Sequence, residues 1–194
     1  MALTESALIQ TLEEGSMTSR RHVFALCAFY LTSAGTPTLE IYKSGKATFS
    51  YPKQWQATED LYGVPLMVLS KPDTGGFRSV LSMTPEPISV PNNVSVANDF
   101  IEEKSNFMRL KSEWAKKSGA KILGQEEYKT FTTPHQITVH QYGVEYELSG
   151  IKYKDYTLLL VKNLKCYYLK ILVKSDHSAD YAQQIQIVNT LRFL

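Results

Sequence analysis

His135 to Lys174 reads HQITVHQYGVEYELSGIKYKDYTLLLVKNLKCYYLKILVK, and three runs inside it decide the fold. Cys166 to Lys174 puts Tyr167, Leu169, Ile171 and Val173 on one face, the period-two alternation of a strand. Tyr153 to Lys162 carries Leu158-Leu159-Leu160-Val161, apolar on both sides, which predicts an interior position in a sheet. His135 to Leu148 alternates on odd numbers through Ile137 and Val139, then on even numbers through Tyr142, Val144, Tyr146 and Leu148. That change of phase predicts a bulge near Gln141 to Gly143. The joining turns are too short for crossover helices, so the strands are antiparallel.

Working outward, Lys121 to Phe131 is a fourth, less regular strand, and a closing helix starts near Asp176 and buries Tyr181, Ile185, Val188 and Leu191. Upstream lies a long helix over about Val96 to Lys117. Phe100, Phe107 and Trp114 recur every seven residues, with Ile101 and Met108 beside them, so one stripe faces inward. Ser95 is its expected N-cap. Asp99, Glu102 and Glu103 come early, Lys111, Lys116 and Lys117 late, and Gly119 just beyond, an order that complements the helix dipole. Further back, Leu39 to Tyr42 and Lys46 to Tyr51 form a hairpin about Ser44-Gly45, with Pro52 ending it. Gly63 to Ser70 and Phe77 to Met83 form a second strand pair about Asp73-Thr74-Gly75-Gly76. Pro85, Pro87 and Pro91 predict an irregular crossing into the helix. Strands, a long helix, strands and a last helix make an α+β domain with helices packed on an antiparallel sheet.

The first 35 residues are read separately. Arg20, Arg21 and His22 precede the uncharged run Val23 to Leu31, and Thr32, Ser33, Ala34 and Gly35 follow. A basic flank, a short apolar stretch and a small-residue exit have the form of a secretory signal peptide over residues 17–35, opened at Met17 and cleaved after Ala34 or Gly35. Glu5, Glu13 and Glu14 are wrong for its basic start, so residues 1–16 are read as a leader outside it. The apolar run is well short of the roughly 20 residues of a membrane-spanning helix. Leu26 before Cys27 disfavours lipidation. The alternative is a cytosolic chain in which residues 3–31 form helices. The domain expected to follow is 36–194.

At 194 residues the chain is long enough for one domain with a short appendage. Its net charge of +2 makes no case for nucleic acid or an anionic membrane as partner. Two cysteines, Cys27 and Cys166, make neither a disulfide scaffold nor a four-thiolate zinc site.

Phe49-Ser50-Tyr51-Pro52-Lys53-Gln54-Trp55 resembles the opening aromatic-x-x-Pro-x-x-Trp of the PsbP superfamily, with Gln54 where that family usually has glycine. The order hairpin, long helix, meander and terminal helix ending Ile187-Val188-Asn189-Thr190-Leu191-Arg192-Phe193 is similar to that family's from Leu39 to Leu194. The resemblance implies a three-layer α/β/α sandwich around a central antiparallel sheet, shared by PsbP-like and DcrB-like exported bacterial domains and a Ran-binding transport factor. It also implies a mostly non-catalytic role and brings no catalytic residues with it.

The residues of a type that carries chemistry have simpler readings. His135 and His140 are five apart, so a regular strand points them to opposite faces. A bulge would be needed to join them, with His177, Asp176 and Asp180 as further ligands, and structural histidines are the favoured reading. Glu145 and Glu147 share a face roughly 7 Å apart, which suits an acid and base pair, but a hydrated outer face is the favoured reading. Asp176 and Asp180 are expected to cap the last helix. The tyrosines Tyr142, Tyr146, Tyr153, Tyr156, Tyr167 and Tyr168 are expected to pack within the sheet. Lys152, Lys154, Lys162, Lys165, Lys170 and Lys174 blunt strand edges or cover an outer face, with a basic docking patch as the sharper alternative. Cys166 has no histidine near it in sequence. No catalytic, metal or cofactor residue is therefore assigned.

The expected function is a non-enzymatic, exported binding or accessory protein of the bacterial envelope, periplasmic or secreted, with a protein partner. The alternatives are a cytosolic chaperone or adaptor for a type VI secretion effector and, third, a hydrolase using Glu145, Glu147 or the histidines.

Overall fold

Alternation of β-branched and aromatic residues with polar ones fills most of the chain after residue 37 and drives it into strands. A computed structural model describes residues 38–89, 96–163 and 165–194; within 85–89 and 96–105 it describes the backbone path only. Leu39–Lys43 (β1), Ala47–Pro52 (β2), Gln56–Leu61 (β3), Val64–Leu69 (β4) and Val80–Ser89 (β5) lead to a helix, Val96–Ser118 (α1). Lys121–Thr132 (β6), Thr138–Leu148 (β7), Ile151–Lys162 (β8) and Lys165–Lys174 (β9) follow, then a second helix, Ser178–Thr190 (α2), and Arg192–Phe193 (β10). The larger sheet has the order β3-β4-β5-β9-β8-β7-β6, and a smaller one has the order β1-β2-β10. Every neighbouring pair is antiparallel. The fold class is thus α+β, with antiparallel sheets and, among the described residues, two helices; the expected sandwich did not include the smaller sheet. The proposed signal segment and the leader lie outside the described residues.

Leu158, Leu159 and Leu160 of β8 are 0, 1 and 0% exposed, as an interior strand requires. Successive side chains point to opposite faces, and they feed two clusters. Leu158 and Leu160 pack with Phe49, Trp55, Leu81, Ile171 and, from α2, Ile187 and Val188. Leu159 packs with Tyr142, Val144, Cys166 and, from α1, Phe107, with Met108 and Trp114 at the margin. The described part of the α1 stripe is therefore where the periodicity puts it, while Ser95, Phe100 and Ile101 lie outside the described side chains.

Four expectations are corrected. No bulge lies in β7: its pairing with β8 runs unbroken from Thr138↔Val161 to Leu148↔Ile151. The register shifts fall between Ile122 and Gly124 and between Glu126 and Lys129, on β6. The phase change in β7 arises because Ile137 and Val139 join one cluster while Tyr142, Val144 and Tyr146 join the other. Second, β3 is an additional strand, joined to β4 by a Tyr62-Gly63 turn with φ of 53° and 74°, the two left-handed residues of a type I′ hairpin. Third, β5 runs on through Pro85 and Pro87, which sit in the register shift between Thr84 and Ile88, where no ladder hydrogen bond is lost to them. Fourth, the terminal helix stops at Thr190, and Arg192 and Phe193 turn back to pair with Thr48 and Ala47.

Two side chains give measurable consequences. A Cβ on Gly143 would lie 2.5 Å from Tyr156 Cδ1 and 2.9 Å from the Asp155 carbonyl oxygen, so only glycine lets the Tyr156 ring lie across β7. Gly143→Ala is expected to lower unfolding free energy by about 1–3 kcal/mol in urea titration. Gln184 on α2 is fully buried, and neither amide atom has a hydrogen-bond partner among the described residues. Gln184→Met keeps the length and removes the unpaired polar group, so the same titration should show stabilisation of about 1 kcal/mol.

Candidate functional site

On α1, Phe107, Leu110, Lys111 and Trp114 fall at the i, i+3, i+4 and i+7 spacing that aligns side chains on one helix face. They form one wall of a groove of about 380 Å³, whose floor is Tyr142 of β7, Thr157 of β8, and Tyr168 and Lys170 of β9. The register sets this floor: Thr157 stands opposite Tyr142 on one side and Lys170 on the other. Phe107 meets Tyr142 edge-on at 4.7 Å between ring centroids, and Trp114 meets Tyr146 at 4.9 Å. Helix α1 packs over β6 and β7. Leu110 is 54% exposed, an aliphatic side chain held at the groove's mouth.

The electrostatics are asymmetric. The Lys111 ammonium bonds the Asp155 carboxylate and lies 5.6 Å from the Phe107 ring centroid and 5.3 Å from that of Trp114, within cation–π range. Lys170 is exposed, and neither it nor Thr157, which is 5% exposed, has a side-chain partner among the described residues. A second, more polar depression of about 300 Å³ lies at Tyr42, Glu59, Asp60 and Leu66, where the Tyr42 hydroxyl donates to Glu59.

The structure brings His177 near Asp176 and Asp180 but gives His135 and His140 other partners. His135 lies in the turn before β7 and accepts from Arg192 Nε at 3.2 Å. His140 is on β7, its Nδ1 2.6 Å from the Tyr128 hydroxyl, and burial holds its pKa below the usual histidine value. His177 sits at the start of α2, 3.6 to 3.8 Å from carboxylate oxygens of Asp73, Asp176 and Asp180. Asp176 and Asp180 do not cap α2. His177 occupies the cap position without a side-chain hydrogen bond, and Asp180 instead accepts from Ser79 Oγ at 2.6 Å. Glu145 accepts from Ser175 Oγ at 2.7 Å, and Glu147 lies between Lys121 and Lys152 in register. Of the lysines, Lys154 pairs with Glu126 at 2.8 Å and Lys174 with Asp73. Edge-blunting is ruled out for all six, because β8 and β9 are interior strands.

Leu110 and Thr157 were not singled out by sequence, and Lys111 only as a complement to the helix dipole. A signal was present for Leu110 and Lys111, which continue the Phe107–Trp114 stripe. Thr157 had none, since its place depends on strand pairing.

Around the groove, burial raises the pKa of the Tyr146 hydroxyl to about 12, helped by the Asp155 and Tyr153 charges. In the other cluster, with Leu158 and Leu160, burial likewise raises Tyr156 and Tyr181. A folded-state pKa above the unfolded one stabilises the fold below about pH 10 and loses that stabilisation as pH rises through the folded value. Stability is therefore expected to fall between about pH 10 and 12, with Tyr146 supplying on the order of 2 kcal/mol of the loss. Tyr146→Phe should flatten this limb in denaturant titrations across that range, and an unchanged limb would refute the assignment.

Comparison with solved structures finds the same architecture. The solution structure of cyanobacterial PsbP (CyanoP) from Synechocystis matches with a TM-score of 0.55 at 12% identity, covering 84% of this chain and 96% of that one. The crystal structure of LpqN from Mycobacterium tuberculosis, described as involved in cell envelope biogenesis, matches with a TM-score of 0.50 at 11% identity, covering 83% and 86%. No protein-family model matches the chain, and no curated protein does. The chain has a PsbP-like fold.

Proposed function

We propose that this chain is an exported, non-enzymatic binding or accessory protein of the bacterial envelope that docks a protein partner. We further assign its layers to the PsbP-like three-layer α/β/α sandwich, with α1 and α2 on opposite faces of the seven-stranded sheet and the small sheet beside α2. The observation that carries the docking role is the groove beside α1: an aromatic floor and wall, an exposed Leu110 at its mouth, and, among the described residues, lysines as its only charged lining. Apolar area with a polar rim is what a binding surface needs, and nothing in that lining pairs a nucleophile with a base. Export is supported by the basic–apolar–small order of residues 17–35. It agrees with the fold shared with LpqN, and no helix among the described residues is long and apolar enough to cross a membrane.

Intact mass of the protein from cytosolic and periplasmic fractions of its native host tests this reading. A chain beginning at Gly35 or Thr36, found outside the cytosol, is the expected result. Full-length protein confined to the cytosol overturns export and leaves the effector-chaperone reading, which requires a stable dimer and a co-purifying client.

A further inference from the structure

We propose that the groove selects a partner segment in which apolar side chains flank a carboxylate, and that Thr157 and Lys170 receive that carboxylate. This rests on the docking reading above and adds the chemistry of the partner. Thr157 and Lys170 are direct cross-strand neighbours on β8 and β9, which places their Cβ atoms about 4.5–5.5 Å apart on one face. Both offer donors: a hydroxyl hydrogen and three ammonium hydrogens, against which an ionised carboxylate is an acceptor only. Thr157 is 5% exposed, lines the groove, and has no side-chain partner among the described residues. Its hydroxyl is not among the fully buried unpaired atoms and faces the open groove, so an arriving acceptor can reach it and gain a hydrogen bond.

The charge balance points to an anion. Among the described residues Lys111 is neutralised by Asp155, whereas Lys170 has no side-chain partner, so the described lining carries one excess positive charge. Around this pair, Phe107, Leu110, Trp114 and Tyr168 offer carbon surface and ring faces. A purely polar anion would leave that surface wet, and a purely apolar segment would bury Thr157 and Lys170 unpaired, which disfavours both. A segment carrying both features satisfies every group in the lining.

The test uses the full chain and three blocked peptides, acetyl-Gly-Leu-Leu-X-Leu-Leu-Gly-amide, with X as Glu, Gln or Lys. Calorimetry gives affinity, and NMR shifts at Thr157, Tyr168 and Lys170 report the place of binding. The Glu peptide is expected to bind about three- to tenfold more tightly than the Gln peptide, and the Lys peptide most weakly, with the spread shrinking as salt rises. Lys170→Met should abolish the preference and Lys170→Arg retain it. Thr157→Val should weaken the Glu peptide alone. Equal binding of the three peptides, binding that moves none of these resonances, or a preference that survives Lys170→Met overturns the inference. A photo-reactive residue at Leu110 in the native host separates the two levels. A crosslinked protein together with equal peptide binding removes only the carboxylate rule, whereas no crosslinked protein removes the docking reading with it.

Discussion

The two-sided burial of Leu158, Leu159 and Leu160 is the constraint on which the rest of the structure depends. Full burial of each such side chain is worth roughly 1.5–3 kcal/mol, against a net stability of about 5–15 kcal/mol for a whole domain. Neither face of β8 is therefore free to face water. An antiparallel meander alone covers neither, and residues from outside it complete both clusters: Phe107 joins Leu159, and Ile187 and Val188 join Leu158 and Leu160. These come from α1, between β5 and β6 in the chain, and from α2, which follows β9. The insertion of β9 between β8 and β5 joins the two halves of the sheet and gives β8 a neighbour on its second edge.

That constraint explains what was legible in the sequence. Strands β8 and β9 and helix α1 were readable because their burial is periodic and local: four consecutive apolar residues, a clean alternation, a heptad of aromatics. Strand β3 was not, because QATEDL is a sheet edge and holds only Ala57 and Leu61 as apolar residues. Strand β10 was not either: two residues have no period, and its partner β2 lies at the other end of the described chain. The β7 bulge was inferred on the assumption that one face is buried throughout. In fact cover passes from one face to the other along the strand, which changes the phase of burial without changing the register. The prolines of β5 read as the end of a strand, but a register shift accommodates both.

The candidate site was less legible than the fold. Spacing along a helix predicted that Phe107 and Trp114 share a face, but the groove closes across three strands. Thr157, Tyr168 and Lys170 come from β8 and β9, and only the register of those strands makes them neighbours. The functional candidates that sequence does suggest, His135, His140, His177, Glu145 and Glu147, each have a local partner that already uses them. Arg192, Tyr128, three aspartates, Ser175 and the flanking lysines account for their positions in structural terms.

Stability alone does not account for the groove's lining. The Lys111–Asp155 pair is mostly withdrawn from water, at 18 and 15% side-chain exposure, and desolvating an ion pair at such a place offsets much of its attraction. Two apolar residues there would pack against Phe107 and Trp114 at no such cost and would tend to close the space between α1 and β9. The ion pair works against that closure: its ammonium lies near both rings while its carboxylate partner remains on the sheet. Lys170 and Thr157 add two more polar groups that the core does not need. A wall that is aromatic where it touches the sheet and polar where the helix leaves it is the arrangement that preserves an opening rather than filling it. The residues that weaken packing on this face are therefore those that line its groove.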